Sequence, residues 1–227
     1  MRRQSDLADI YGVKKIKSNP LERKVDASET GFRHSDYYHR YFRGYTEIRR
    51  EKPNGKFRVE RYYTRPWIVR CASWPVYWLT RVLYSSLVTL AAMLFLWAMC
   101  WRLDSNCCAL VAFFGVVSAI ALFLLGAVTV SYIIVPKRMT LWDHASSTKR
   151  LKITSLLTAC CMALTAAAKV VYLLLYRGNP GGELRCIGVI LLAAASAAVV
   201  NCAEREAVYS TVPNDTVLPE GEAHEIW

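Results

Sequence analysis

ITSLLTACCMALTAAAKVVYLLLY, residues 153–176, contains one charged side chain, Lys169, in 24 residues. A helix needs about 20 apolar residues to cross roughly 30 Å of bilayer hydrocarbon, so this stretch reads as a membrane span with one lysine to account for. Thr154, Thr158, Cys161, Thr165, Lys169, Tyr172 and Tyr176 recur at intervals of three and four, which lines them along one helix face. A polar stripe in a membrane helix is expected to face protein or water, because hydroxyls and a charge cost free energy in lipid. Lys169 lies seven residues before Tyr176, roughly 10 Å from that end of the helix. Two readings of it follow. Either the ammonium reaches the headgroups on its long stem or pairs with a neighbour, or Thr158, Thr165, Lys169 and Tyr172 line a polar pathway. No acid lies inside any span, so Glu183 in the next turn is the nearest expected partner, with Ser85, Ser86, Thr89 and Ser118 as further polar groups.

Three more stretches match in length and character. Residues 82–101 carry no charge, and a helix starting near Ser73 places Pro75 where a missing N–H is tolerated. Residues 105–136 are uncharged over 32 positions, more than one crossing requires, and 186–203 supply 18. The expected fold is an all-α membrane protein with a transmembrane domain over 73–203, its helices at about 75–101, 106–135, 153–176 and 186–203. Residues 102–104 and 177–185 are short links, so the helices are expected as two antiparallel hairpins. Ala159, Ala163 and Ala167, with AAASAAVV from Ala193, suggest that the third and fourth helices pack closely through small residues.

Charge orients the array. The 136–152 segment has Lys137, Arg138, Lys149, Arg150 and Lys152 against Asp143 alone, while the two short links are nearly balanced. By the positive-inside rule both termini are expected in the cytoplasm, with a plasma membrane as the bilayer. Trp67, Trp74, Tyr77, Trp78, Tyr132 and Trp142 then fall near the inner interface, and Trp97, Trp101, Tyr172 and Tyr176 near the outer. The opening MRRQSDLADIYGVKKIK has no apolar core of a signal peptide, so the first span is expected to direct its own insertion.

Residues 1–75 hold 18 Lys+Arg against 9 Asp+Glu, a net of +9, whereas 204–227 hold one Arg against six acids, a net of −5. A basic segment beside a membrane helix suits anionic headgroups better than nucleic acid, which is an unlikely partner. Residues 1–43 read as a basic, largely disordered segment with one weakly amphipathic piece around Leu7, Ile10 and Tyr11. Residues 44–72 read as a cytoplasmic β-hairpin and interfacial anchor, because Asn54-Gly55 suits a two-residue turn. That register sets Glu51 against Arg58 and Arg49 against Glu60, and gathers Ile48, Phe57, Val59 and Tyr63 on the other face. A lone hairpin is marginal in water. It is therefore expected to pack on a partner, a second copy, the preceding HSDYYHRYF or the membrane, with Arg49, Arg58, Arg61, Arg65, Trp67 and Arg70 as lipid or partner contacts. Residues 204–227 read as an acidic disordered tail, free to touch the basic head weakly.

Catalytic groups were sought without result. His34, Asp36, His39 and Cys71 match no compact zinc spacing, and nothing orients Asp143, His144, Ser146 and Ser147 into a nucleophilic relay. The eight cysteines sit mostly in apolar runs and read as small buried hydrophobes. Asn214-Asp215-Thr216 fits a glycosylation acceptor, but the expected topology keeps it cytoplasmic. The expectation is a non-enzymatic anchor or assembly subunit without cofactor or metal, bound to the lipid bilayer and to a protein partner or further copies of itself. The alternative is a small transporter or channel component built around Lys169.

Overall fold

A computed structural model describes residues 36–51, 57–176, 180–220 and 222–226. The expected Asn54-Gly55 turn, the Leu7–Tyr11 piece, His34 and Arg177 lie outside the described residues. The chain divides into two units, one within 1–69, 138–142 and 211–227, the other comprising 70–137 and 143–210.

The second unit is a bundle of four helices long and apolar enough to cross a membrane. They are α2 (Trp74–Met99), α3 (Ala109–Ile134), α4 (Leu141–Tyr176) and α5 (Pro180–Glu206). Pro75 lies in the first turn of α2, as the sequence implied. Two boundaries differ from expectation. Most of the basic segment 136–152 is helical, because α4 starts at Leu141 and runs through a wide π turn at His144–Lys149. The expected turn 177–185 is largely absorbed into α5, which opens on Pro180 with Glu183 in its first turn, both favourable at a helix N-terminus.

In lipid the driving force for packing helices is close fit and internal hydrogen bonding. Accordingly, small residues fill the centre: Ala91 and Ala98 of α2, Ala166 of α4, and Ala193 and Ala194 of α5 surround Phe95, Leu122, Met162 and Ile190. A second cluster joins Tyr84, Val88, Leu125, Tyr132, Leu151, Ala197 and Val200. α4 packs extensively on α5 and α3, and α2 on α5. The close α4–α5 approach uses only part of the alanine row expected for it: Ala159 packs against the second cluster, Ala163 and Ala167 are exposed, and Met162 and Ala166 are buried in the first. Leu79, Met93, Phe113, Phe123, Ile134 and Leu174 are exposed, forming the apolar exterior that hydrocarbon would cover. Trp74, Trp78, Trp97 and Tyr176 are exposed near helix ends, but Tyr77 and Tyr132 turn inward. Most cysteines also depart from expectation: Cys161 and Cys186 are buried, whereas Cys71, Cys100, Cys107, Cys160 and Cys202 are exposed.

The first unit carries strands of two small three-stranded sheets. Helix α1 (Asp36–Tyr41) precedes β1 (Tyr45–Glu51) and β2 (Phe57–Tyr63), which pair antiparallel. Strand β3 (Trp67–Arg70) pairs with the short β4 (Arg138–Met139) through Ile68 opposite Met139. The β1–β2 register is shifted by one residue from the expected one. Arg49 lies opposite Val59 and Glu51 opposite Phe57, with 52–56 connecting the strands. A one-residue shift moves alternate side chains to the other face, so Ile48 and Tyr63 are on opposite sides of the ribbon. What the observed register provides is Glu47 directly opposite Arg61 and Tyr45 opposite Tyr63.

The HSDYYHRYF segment supplies the packing the hairpin needs. Aromatic rings run in sequence from Tyr38 to Phe42 (4.5 Å), Phe42 to Tyr45 (5.4 Å), Tyr45 to Tyr63 (5.2 Å) and Tyr63 to Trp67 (4.7 Å). The acidic tail is also structured, contrary to expectation. After β5 (Tyr209–Val212) the chain returns as β6 (Glu222–Glu225) and adds to β1, giving the order β2-β1-β6.

Candidate functional site

Two buried polar clusters stand out in the bundle, one near each end of α5. The first is built on Lys169. Its side chain is 0% exposed, and its Nζ donates to Ser105 Oγ at 2.7 Å and to Asn106 Oδ1. Glu183 Oε2 lies 3.6 Å from the ammonium and accepts the Ser105 hydroxyl at 2.6 Å. The 3₁₀ turn Asp104–Cys107 brings Ser105 and Asn106 over the lysine. Asn106 is itself fixed, donating Nδ2 to Trp101 O at 2.8 Å and Met99 O at 3.3 Å. Further along α4, Thr165 and Ser118 share a hydrogen bond of 2.9 Å, and Thr158 donates to Ala121 O at 3.1 Å.

The second cluster centres on Glu204, also 0% exposed, in the last turn of α5. Tyr84 OH donates to its Oε2 at 3.0 Å, Tyr132 OH does so at 3.4 Å, and Tyr209 OH donates to Oε1. Arg70 Nη2 is 3.6 Å from Oε2 while Nη1 donates to Tyr132 OH. Burial raises the Tyr209 phenol above its ordinary value, with the Glu204 charge adding to the rise. Nearby, Arg81 is buried in α2, with Nη2 donating to Val135 O and its guanidinium 4.2 Å from the Tyr77 ring centroid.

The residues singled out for a polar pathway are only partly united. Thr158, Thr165 and Lys169 are all fully buried, but Tyr172 is half-exposed and stacks on Tyr176 at 4.9 Å. Lys169 does not reach outward to headgroups; it is held inside the bundle against Glu183. The residues expected to meet lipid or a partner also divide. Arg70 is buried against Glu204, and Arg61 lies over Phe42 with Nε 3.0 Å from the buried Glu47. Trp67 packs on Tyr63, Arg49 is half-buried opposite Val59, and Arg65 is also half-buried, 3.1 Å from Glu225. The Arg58 side chain lies outside the described residues.

Glu204 is not legible in the sequence as a buried acid because it stands at the edge of the last apolar run, where an acidic segment begins. A usable signal was present: counted on helical spacing, Glu204 follows Ala193, Ala197 and Val200, all on the buried face. Among the described residues no group of three His, Cys, Asp or Glu side chains could hold a metal ion. Comparisons with protein-family models, with curated proteins and with solved structures found no match.

Proposed function

We propose that this chain is a non-enzymatic membrane anchor or assembly subunit whose basic head engages a protein partner or anionic lipid. The four helices cross the bilayer as two antiparallel hairpins, with head and tail on the cytoplasmic face of a plasma membrane. One observation supports this reading above others: four of the five charges buried among the described residues of the bundle are matched in pairs, Lys169 with Glu183 and Arg70 with Glu204, while Arg81 is held by the Val135 carbonyl. Buried charges matched this way suit a fixed scaffold, because each ion's desolvation is offset by its own partner. Apart from Arg70, residues 44–72 carry seven Lys+Arg against three Glu, a net of +4, which suits an acidic counterpart.

A second reading is favoured by the polar seam of Thr158, Ser118, Thr165 and Lys169, which suits an anion path in a transporter or channel component. Reconstitution separates the two. Under the anchor reading, proteoliposomes carrying the full chain pass anions no faster than empty vesicles. The head also gains hydrogen-exchange protection in nanodiscs containing anionic rather than neutral lipid, or on adding the partner. Anion flux that disappears in Lys169→Leu would replace this reading with the second.

A further inference from the structure

We infer that the edge of β1 facing away from β2 is a peptide-recognition slot, held closed by the chain's own residues 222–226, that accepts an acidic extended segment ending in an aliphatic residue from a partner protein.

The slot is defined by backbone and pocket together. β6 lies antiparallel to β1 with Glu225 opposite Thr46, His224 opposite Glu47 and Ala223 opposite Ile48. Past the strand, Ile226 N–H donates to Tyr45 O at 2.9 Å and Gly44 N–H donates to Ile226 O at 3.1 Å. Gly44 has φ +86°, which L side chains rarely adopt, and a Cβ there would meet Arg65 Cγ at 2.7 Å. The slot end is therefore shaped by a residue that has to be glycine. Ile226 is 0% exposed, so an aliphatic side chain fills a closed position in the head. Beside it Arg65 faces Glu225 at 3.1 Å, which sets an acidic residue before the aliphatic one. This is strand addition in its ordinary division of labour: main-chain bonds supply affinity, and alternate side chains supply selectivity.

The occupant is built to leave. β6 has four residues and sits at the sheet edge, with Ala223 exposed. Its Arg65–Glu225 pair is partly solvent-exposed, a setting where an ion pair is worth about 0–1 kcal/mol. The preceding segment carries Pro213 and Pro219 and exposes Val217 to 89%. An element with one buried apolar anchor, on a mostly exposed tether fastened by Asn214 Nδ2 donating to Tyr63 O, belongs to the low-stability end of local opening. When it opens, β1 presents a row of unpaired N–H and C=O groups, a template for another strand. The basic surroundings of β1 favour an acidic replacement, and the tail's own sequence is the model for it.

This deepens the reading of the head as a partner-binding module. Its test needs no bilayer partner and no flux, so failure here leaves the anchor reading standing. The probe is a fluorescent synthetic peptide of residues 220–227, EGEAHEIW, titrated against the full chain in detergent, a chain ending at residue 219, and full-length Ile226→Asp. A tethered strand competes at an effective concentration on the order of millimolar. The shortened chain and Ile226→Asp should therefore bind the probe at least roughly tenfold more tightly than the full chain. A probe with Asp in place of its isoleucine should not bind, and bound probe should restore exchange protection to the Thr46–Arg49 amides. Ile226→Asp keeps every residue of the slot and guards against a truncation that fails to fold. No binding to either variant overturns the inference, as does equal binding to all three chains. Tail exchange between copies of the full chain, seen as a crosslinked dimer, would overturn the assignment of the slot to a partner protein.

Discussion

Helix α5 carries a buried glutamate near each end, and the two are supported differently. Glu183 lies in the first turn, where the helix dipole favours an anion, and its partners are one lysine and one serine hydroxyl. Glu204 lies in the last turn, where the dipole opposes an anion, and it gathers an arginine and three tyrosine hydroxyls. The number of donors rises where the helix contributes least. Burying a carboxylate is thus a local problem, solved at each site by whatever the backbone leaves unmet.

This comparison can be broken by removing one partner at a time. Loss of either member of a buried pair strands the other and should cost about 3–5 kcal/mol in a detergent-denaturation titration. The ranking of the four losses is the sharper expectation. Lys169→Met leaves an anion at the favourable end of α5 and Arg70→Met leaves one at the unfavourable end, so Arg70→Met should be worse. For the acids the order reverses. Glu183→Gln strands a cation at the positive end, whereas Glu204→Gln strands one at the negative end, so Glu183→Gln should be worse. The gap within each comparison should be about 0.5–2 kcal/mol, and equal costs would mean the dipole plays no part. The double replacement Lys169→Met with Glu183→Leu should recover most of the loss, since an apolar pair needs no compensation.

Smaller effects are expected in the head. Gly44→Ala forces a side chain into a left-handed backbone and against Arg65, and should cost about 1–3 kcal/mol of head stability by hydrogen exchange. The Tyr38 phenol is raised above its ordinary value by burial and by the Glu47 carboxylate it bonds. Because the folded value is the higher, its contribution is fully present below about pH 10 and declines as the pH climbs beyond. Tyr38→Phe should flatten that alkaline loss in a pH series followed by tyrosine fluorescence. Smallest of all, Arg65→Ala should change stability by less than about 1 kcal/mol, an effect that salt erases.

What the sequence disclosed follows from the range of each interaction. The spans were readable because uninterrupted apolar runs report directly on burial in lipid, and Glu183 was readable as the lysine's partner because it lies in the link that directly follows that helix. Arg70 and Glu204 were not, since charges at the limits of an apolar run look the same whether they face water or each other. The strand register misled for a related reason. Asn-Gly marks a favourable turn, but the observed register sets Glu47 opposite Arg61 and Tyr45 opposite Tyr63. Strand β6 left no local trace, as Glu-Ala-His-Glu has low strand preference and becomes a strand through β1 beside it.

The return of the tail also imposes an order on biosynthesis. Strands β1 and β2 leave the ribosome early, yet their third strand is encoded some 160 residues later, after all four helices. At translation rates of roughly 5–20 residues per second that interval is about 10–30 s. Throughout it the nascent head has an open edge, exposed to any other extended segment before the chain's own arrives.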